Sequence, residues 1–174
     1  MRETAQLGPA GREVHQASPP VAFEDFFAQE VDGLYRALWL VTRNRFEAEE
    51  LTQEAFVRVL ERWDRVSEME DPRAYLYRTG MNAFRTAYGR ALLAAKRTMK
   101  ALPADDAIAE IDERDVAVRA LAPLSQRQRA AVVLTDMLGF RSEEAARMLG
   151  IRASTLRMHA SRAHAALKEA MPRD

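Results

Sequence analysis

The chain has 174 residues, enough for one ordinary domain or two small ones, and 48% of them are hydrophobic. It carries 26 basic and 26 acidic residues and no cysteine, which excludes a disulfide framework and a thiolate metal site. No stretch approaches the about 18 apolar residues of a membrane span. With helix formers dominant and only seven glycines and seven prolines, the composition predicts an all-α, cytoplasmic protein without membrane insertion.

Residues 1–20 combine Pro, Gly and polar side chains without an apolar signal core, and read as a flexible tail. Phe23 to Val41 reads as a first helix, with Phe26, Phe27, Val31, Leu34, Leu38 and Val41 at helical spacing. In the next segment, FEAEELTQEAFVRVLERW, Ala48, Leu51, Ala55, Val59 and Trp63 form one stripe, with Phe56 and Leu60 beside it. Its early acids suit the positive end of a helix dipole. DRVSEMED (64–71) reads as a loop, and Pro72 is placed to open a third helix. Gly80 inside that helix costs about 1 kcal/mol relative to alanine unless it has a packing role.

A basic knot, KRTMK, and an acidic run, DDAIAEIDERD, follow; residues 96–116 read as a charged linker. Helical patterning returns from Ala117, broken at Gly139 and Gly150. The charge is unevenly placed: 13 acids and 10 bases lie between residues 21 and 90, against 5 acids and 10 bases between 119 and 174. The back half is therefore suited to a polyanion. Two small helical domains, 21–95 and 117–171, joined by a flexible acidic linker, are expected.

SEEAARMLGIRASTLRMHASRA has the spacing of a helix-turn-helix. Ala146 permits a close helix crossing, Gly150 tolerates positive φ, and Ile151 and Leu156 plug the space between the helices. Ala153 or Ser154 begins the second helix, with Ser154 as a possible cap. At about 100° per residue, Leu156, Ala160, Ala163 and Leu167 share one face. Thr155, Arg157, Met158, Ser161, Arg162 and Ala165 lie opposite and beside it. Small polar groups with arginines at the margins suit a DNA major groove; a helical hairpin with a solvated basic face is the alternative. His159 is a phosphate contact or simply an exposed histidine, and its five-residue spacing from His164 is poor metal geometry.

LSQRQRAAVVL followed by GFRSEEAARMLGIRASTLRMHASRAHAAL resembles the fourth conserved region of the extracytoplasmic-function (ECF) sigma factors of bacterial RNA polymerase. FEAEELTQEAF is similar to that family's polymerase-binding signature, and PRAYLYRTGMNAF to its -10 segment. The resemblance spans most of residues 23 to 170. It implies an alternative sigma factor with no chemistry and no cofactor or metal of its own. Its expected partners are core RNA polymerase (β′ clamp helices and β flap), promoter DNA and an anti-sigma factor.

On that resemblance, Glu47, Glu50, Gln53 and Glu54 bind polymerase. Asn82 lies at the melted -10 strand, with Arg78 and Arg85 holding backbone and Tyr75 and Tyr77 offering stacking surfaces. The loop from Trp63 to Asp71 falls where the family captures a flipped base. Arg152, Ser154, Thr155, Arg157, Met158, His159 and Arg162, with Arg127, address the -35 element. The chain departs from the family's usual residues at Gly80, Met81, Thr86, Ser154, Met158 and His159. A free-standing transcription regulator is the competing reading, against which the N-terminal half argues. An enzyme lacks a nucleophile–base set, a metal cluster and a Gly-rich phosphate loop in this sequence.

Overall fold

The computed structural model describes residues 22–98 and 116–170, and among them there are helices and no strand. The tail, the acidic run 105–115 and residues 171–174 lie outside the described residues. Helix α1 spans Phe23–Thr42, α2 Arg45–Leu60, α3 Trp63–Val66 and α4 Pro72–Thr98. The second segment holds α5 (Val116–Ala120), α6 (Gln126–Val132) running into a π-helical turn (Val133–Met137), α7 (Ser142–Leu149) and α8 (Ala153–Ala170).

Local chemistry sets most of these limits. Asn44 caps α2, its Oδ1 accepting from Glu47 N at 3.1 Å. Asp71 Oδ1 accepts from Ala74 N at 2.8 Å, so Asp71 and Pro72 together open α4. Ser125 N donates to Gln128 Oε1 at 2.8 Å at the start of α6. Helix α7 ends on Gly150 at φ 63°, with Ile151 N donating to Ala146 O at 3.0 Å, a Schellman closure. Ser154 sits inside the first turn of α8, which begins at Ala153, so it is not the cap. The stretch read as a loop from residue 64 starts instead with the single turn α3, whose Val66 is buried.

Helices α1, α2 and α4 pack on one another around Leu34, Leu38, Leu51, Ala55 and Leu76. Gly80 has a packing role: a Cβ there would stand 3.1 Å from Leu34 Cδ1 and 3.6 Å from Leu38 Cδ1, so its absence lets α4 lie close on α1. Phe23, Phe26, Phe56 and Trp63 close one end of this bundle, with ring centroids 5.0–6.4 Å apart. Helices α6, α7 and α8 form the second unit around Leu134, Met148, Leu156 and Ala163. The two units share one continuous buried core, with α6 against α1 and α7 against α4.

Candidate nucleic-acid and polymerase interfaces

The helix-turn-helix is built by α7 and α8. Leu156 and Ala163 are buried and Ala160 and Leu167 pack half-buried against the core, the face read from the helical wheel. On the other side Arg152, Ser154, Arg157, Met158 and Arg162 are exposed, Met158 at 40%, and Thr155 is half-buried. Arg157 Nη1 donates to Glu143 Oε1 of α7 at 3.0 Å, an exposed ion pair between the two helices of the motif. Arg127 comes from α6, yet it lies close enough to His159 to influence its charge. Partial burial, then the positive charges of Arg127 and Arg162, hold the His159 imidazole below its ordinary pKa. The structure thus brings Arg127 of α6 near His159 and Arg162 of α8, and leaves Arg152, Ser154, Arg157 and Met158 exposed at the start of that helix. No acid occurs in α8 before Glu169. His164 is occupied elsewhere, its Nε2 2.6 Å from Asp136 Oδ2 of the π turn.

On α4, Tyr75, Arg78, Asn82 and Arg85 fall three, four and three residues apart, which puts them on one stripe. Tyr75 and Asn82 are half-buried, Arg78 and Arg85 exposed. Arg62 Nη1 donates to the Tyr75 hydroxyl at 3.3 Å, and the Arg78 guanidinium lies 5.2 Å from the Tyr75 ring centroid. Tyr77 offers no stacking surface. It is 1% exposed, with Arg73 over its ring at 4.8 Å and Phe140 at 5.9 Å, and burial pushes its hydroxyl pKa up. Met81 is fully buried, so the departure from the family's usual residue there is a core substitution. Thr86 is exposed, its Oγ1 donating to Asn82 O at 2.9 Å. Beside Tyr75 and Arg78 lies a cavity of about 120 Å³ whose other wall is Glu144, Arg147 and Met148 of α7. Met69 and Asp71 give the loop the lining residues that its sequence alone did not reveal.

On α2, Glu50 and Gln53 are exposed, Glu47 and Glu54 half-buried. Gln53 Nε2 donates to Glu49 Oε1 at 3.3 Å, and Glu54 pairs with Arg58. The same surface carries residues the sequence reading missed. Phe46 is 78% exposed, Val57 55% and Leu60 53%, and all three share a stripe with Glu50 and Gln53. Leu60 therefore faces outward instead of lying beside the core. The available signal was a second apolar series at eleven-, three- and fourteen-residue spacing, mixed with acids on the side taken as solvated.

The chain matches the family model for Sigma-70 region 2 over residues 26–94 and that for Sigma-70 region 4 over residues 114–167. It is 31% identical over 150 residues to the RNA polymerase sigma-E factor of Streptomyces avermitilis, covering 84% of this chain and 83% of that one. It is 29% identical over 154 residues to the ECF RNA polymerase sigma factor SigM of Mycobacterium tuberculosis, covering 88% and 79%. Among solved structures it resembles the sigma factor RpoE in complex with the anti-sigma factor NepR from Bartonella quintana. There the TM-score is 0.62 at 22% identity, covering 84% of this chain and 94% of that one. CnrH in complex with the cytosolic domain of CnrY gives a TM-score of 0.52 at 23% identity, covering 84% and 85%. Two conserved regions in family order and curated relatives along most of their length place this chain in the ECF sigma factors, promoter-recognising specificity factors of RNA polymerase.

Proposed function

We propose a division of labour for this sigma factor, working in the bacterial cytoplasm. Residues 21–95 form the module that binds polymerase and the -10 element, and residues 117–171 the module that reads the -35 element and meets the β flap. Glu47, Glu50, Gln53 and Glu54 bind the β′ clamp helices, with Phe46, Val57 and Leu60 as apolar anchors between them. Arg78, Asn82, Arg85 and Tyr75 hold the opened -10 strand; guanidiniums take the backbone and the tyrosine ring stacks on a base. The cavity beside Tyr75 receives a flipped base. Arg152, Ser154, Thr155, Arg157, Met158, His159, Arg162 and Arg127 contact the -35 duplex. Met158 packs on a thymine methyl. An anti-sigma partner, like those in the RpoE and CnrH complexes, regulates the chain.

The observation that carries this reading is the opposite chemistry of two exposed helix faces. The α2 face is acidic and apolar, repelling DNA and suiting a protein; the α8 face is basic and built of small side chains. Sigma factors act without catalysis of their own, so the test is partnership. Mixing the chain with core polymerase and a promoter library, then sequencing the transcripts, should yield a defined -35/-10 pair. Transcription without promoter preference would refute the proposal. Gln53→Ala with Glu54→Lys should weaken polymerase binding while helicity is unchanged.

A further inference from the structure

The turn between α1 and α2 places an arginine where glycine is the usual occupant. Arg43 is the C-cap of α1 and takes the left-handed conformation, φ 56° and ψ 21°, its N–H donating to Trp39 O at 2.7 Å. Among the described residues no other non-glycine residue has a positive φ. A side chain is strained in such a cap, and glycine is not. The turn is fixed beyond Arg43 as well: Thr42 Oγ1 donates to Asn44 O at 3.1 Å, and Asn44 caps α2. The Arg43 side chain supplies no hydrogen bond that would explain the strain. Its Nε is buried without a partner, and among the described residues no other side-chain nitrogen or oxygen is in that state. Arg129 is the contrast. It is fully buried, yet its Nε donates to Val41 O at 3.1 Å and its Nη1 to Leu124 O at 2.6 Å. Burying a guanidinium is tolerated where hydrogen bonds replace its water. Arg43 combines a strained backbone with an unpaired buried donor, and such features cluster where a residue serves a ligand or a partner.

Its surroundings say which partner. Arg45 lays its guanidinium 5.2 Å from the Trp39 ring centroid, and the adjoining Phe46 is among the exposed anchors of α2. Among the described residues neither Arg43 nor Arg45 is paired with an acid. Glu47, Glu49 and Glu50 follow in the first turns of α2. A nucleic-acid strand laid here would run its phosphates past those three acids, whereas one carboxylate on a protein avoids them. We propose that Arg43 and Arg45 form a carboxylate-binding corner that takes an acidic side chain of core polymerase, at the N-terminal end of the α2 face. This rests on the assignment of that face to polymerase. The strained turn is kept because arginine's planar fork matches a carboxylate with two parallel bonds, which glycine cannot supply. The corner also reverses the charge of the face it borders. Acids at 47, 50 and 54 meet cations, and arginines at 43 and 45 meet an acid. That alternation fixes the docking register, because a slip of one turn sets like charges together.

Arg43→Gly separates this role from a structural one. Glycine takes φ 56° without strain, so the thermal midpoint should stay where it is or rise. Affinity of the full-length chain for core polymerase should fall about tenfold, as on loss of an interface arginine. It is read from the anisotropy of a fluorophore on exposed Ala122→Cys, in a chain with no other cysteine. Arg43→Lys keeps the charge without the fork and should recover only part of the loss. Arg45→Gln should weaken binding by about threefold, as loss of an exposed ion pair does. Unchanged core affinity in Arg43→Gly overturns the corner. A midpoint that falls together with affinity overturns it too, since Arg43 is then structural. Unchanged core affinity with weaker promoter binding by the assembled holoenzyme assigns the corner to nucleic acid and overturns the carboxylate. Val57→Glu keeps the two readings apart. If it leaves core affinity unchanged, the polymerase face itself is wrong; if it weakens binding while Arg43→Gly does not, only the corner is.

Discussion

Helices α2 and α8 are both amphipathic, and both turn a mixed face to solvent, yet those faces are opposites. On α2, Phe46, Val57 and Leu60 stand between acids, with large apolar groups more than half exposed. On α8 the inner face is Leu156 and Ala163, and the outer one is arginine, serine and threonine with a single methionine. Exposed large apolar groups rimmed by charge are the mark of a protein partner. Small side chains flanked by guanidiniums are the mark of a groove lined by phosphates. The comparison shows why the zero net charge of the whole chain carries so little information: the two signs stand on different surfaces.

The largest expected effect breaks the scaffold behind one face. Leu156 is fully buried, and Leu156→Ala should cost about 2–5 kcal/mol, seen as a lower denaturant midpoint. With it, -35 binding should fall while the α2 face is intact. Next, Val57→Glu should weaken polymerase affinity by about tenfold or more, the loss expected on truncating or charging an interface anchor. Because Val57 is already exposed, thermal stability should move by only about 0.5 kcal/mol or less. A large drop in stability with polymerase affinity unchanged would overturn the partner assignment for that face.

Arg162→Ala sharpens the other side of the comparison. It should lower DNA affinity alike for all sequences and reduce the slope of log affinity against log salt by about 1, as loss of a phosphate contact does. Polymerase affinity should be unaffected. The smallest effect is expected from Met158→Ser. It should remove about 1 kcal/mol of preference at one thymine of the -35 element, measured on promoter variants. Preference untouched at every position would sink that contact.

Much of this was legible because it is local. The Gly150 turn, the small Ala146 at the crossing and the four-residue recurrence of Leu156, Ala160 and Ala163 act within a few residues of one another. Their spacing alone locates a helix-turn-helix. Asn82, Arg78 and Arg85 were found through resemblance, and their common stripe then follows from helical geometry. Less legible was α2, which has two apolar series. Periodicity reports that a stripe exists but not which of two stripes meets the core, so Leu60 was read inward. Tyr75 and Tyr77 looked equivalent in sequence; only the placement of Arg73 and Phe140 made one of them core.

By itself, then, the sequence determined most of the helices, the turn of the recognition motif and the sign of charge along each segment, because these depend on neighbours within about one or two helical turns. The tertiary structure alone decided that Met81 and Tyr77 are interior, that Phe46, Val57 and Leu60 are not, and that α7 packs against α4. It also decided the role of Arg129. An arginine flanked by Gln128 and Ala130 reads as one more surface cation. It becomes a tie between two units only when folding brings it against Val41, 88 residues away along the chain, where burial removes its water and leaves the carbonyls of α1 and Leu124 to replace it.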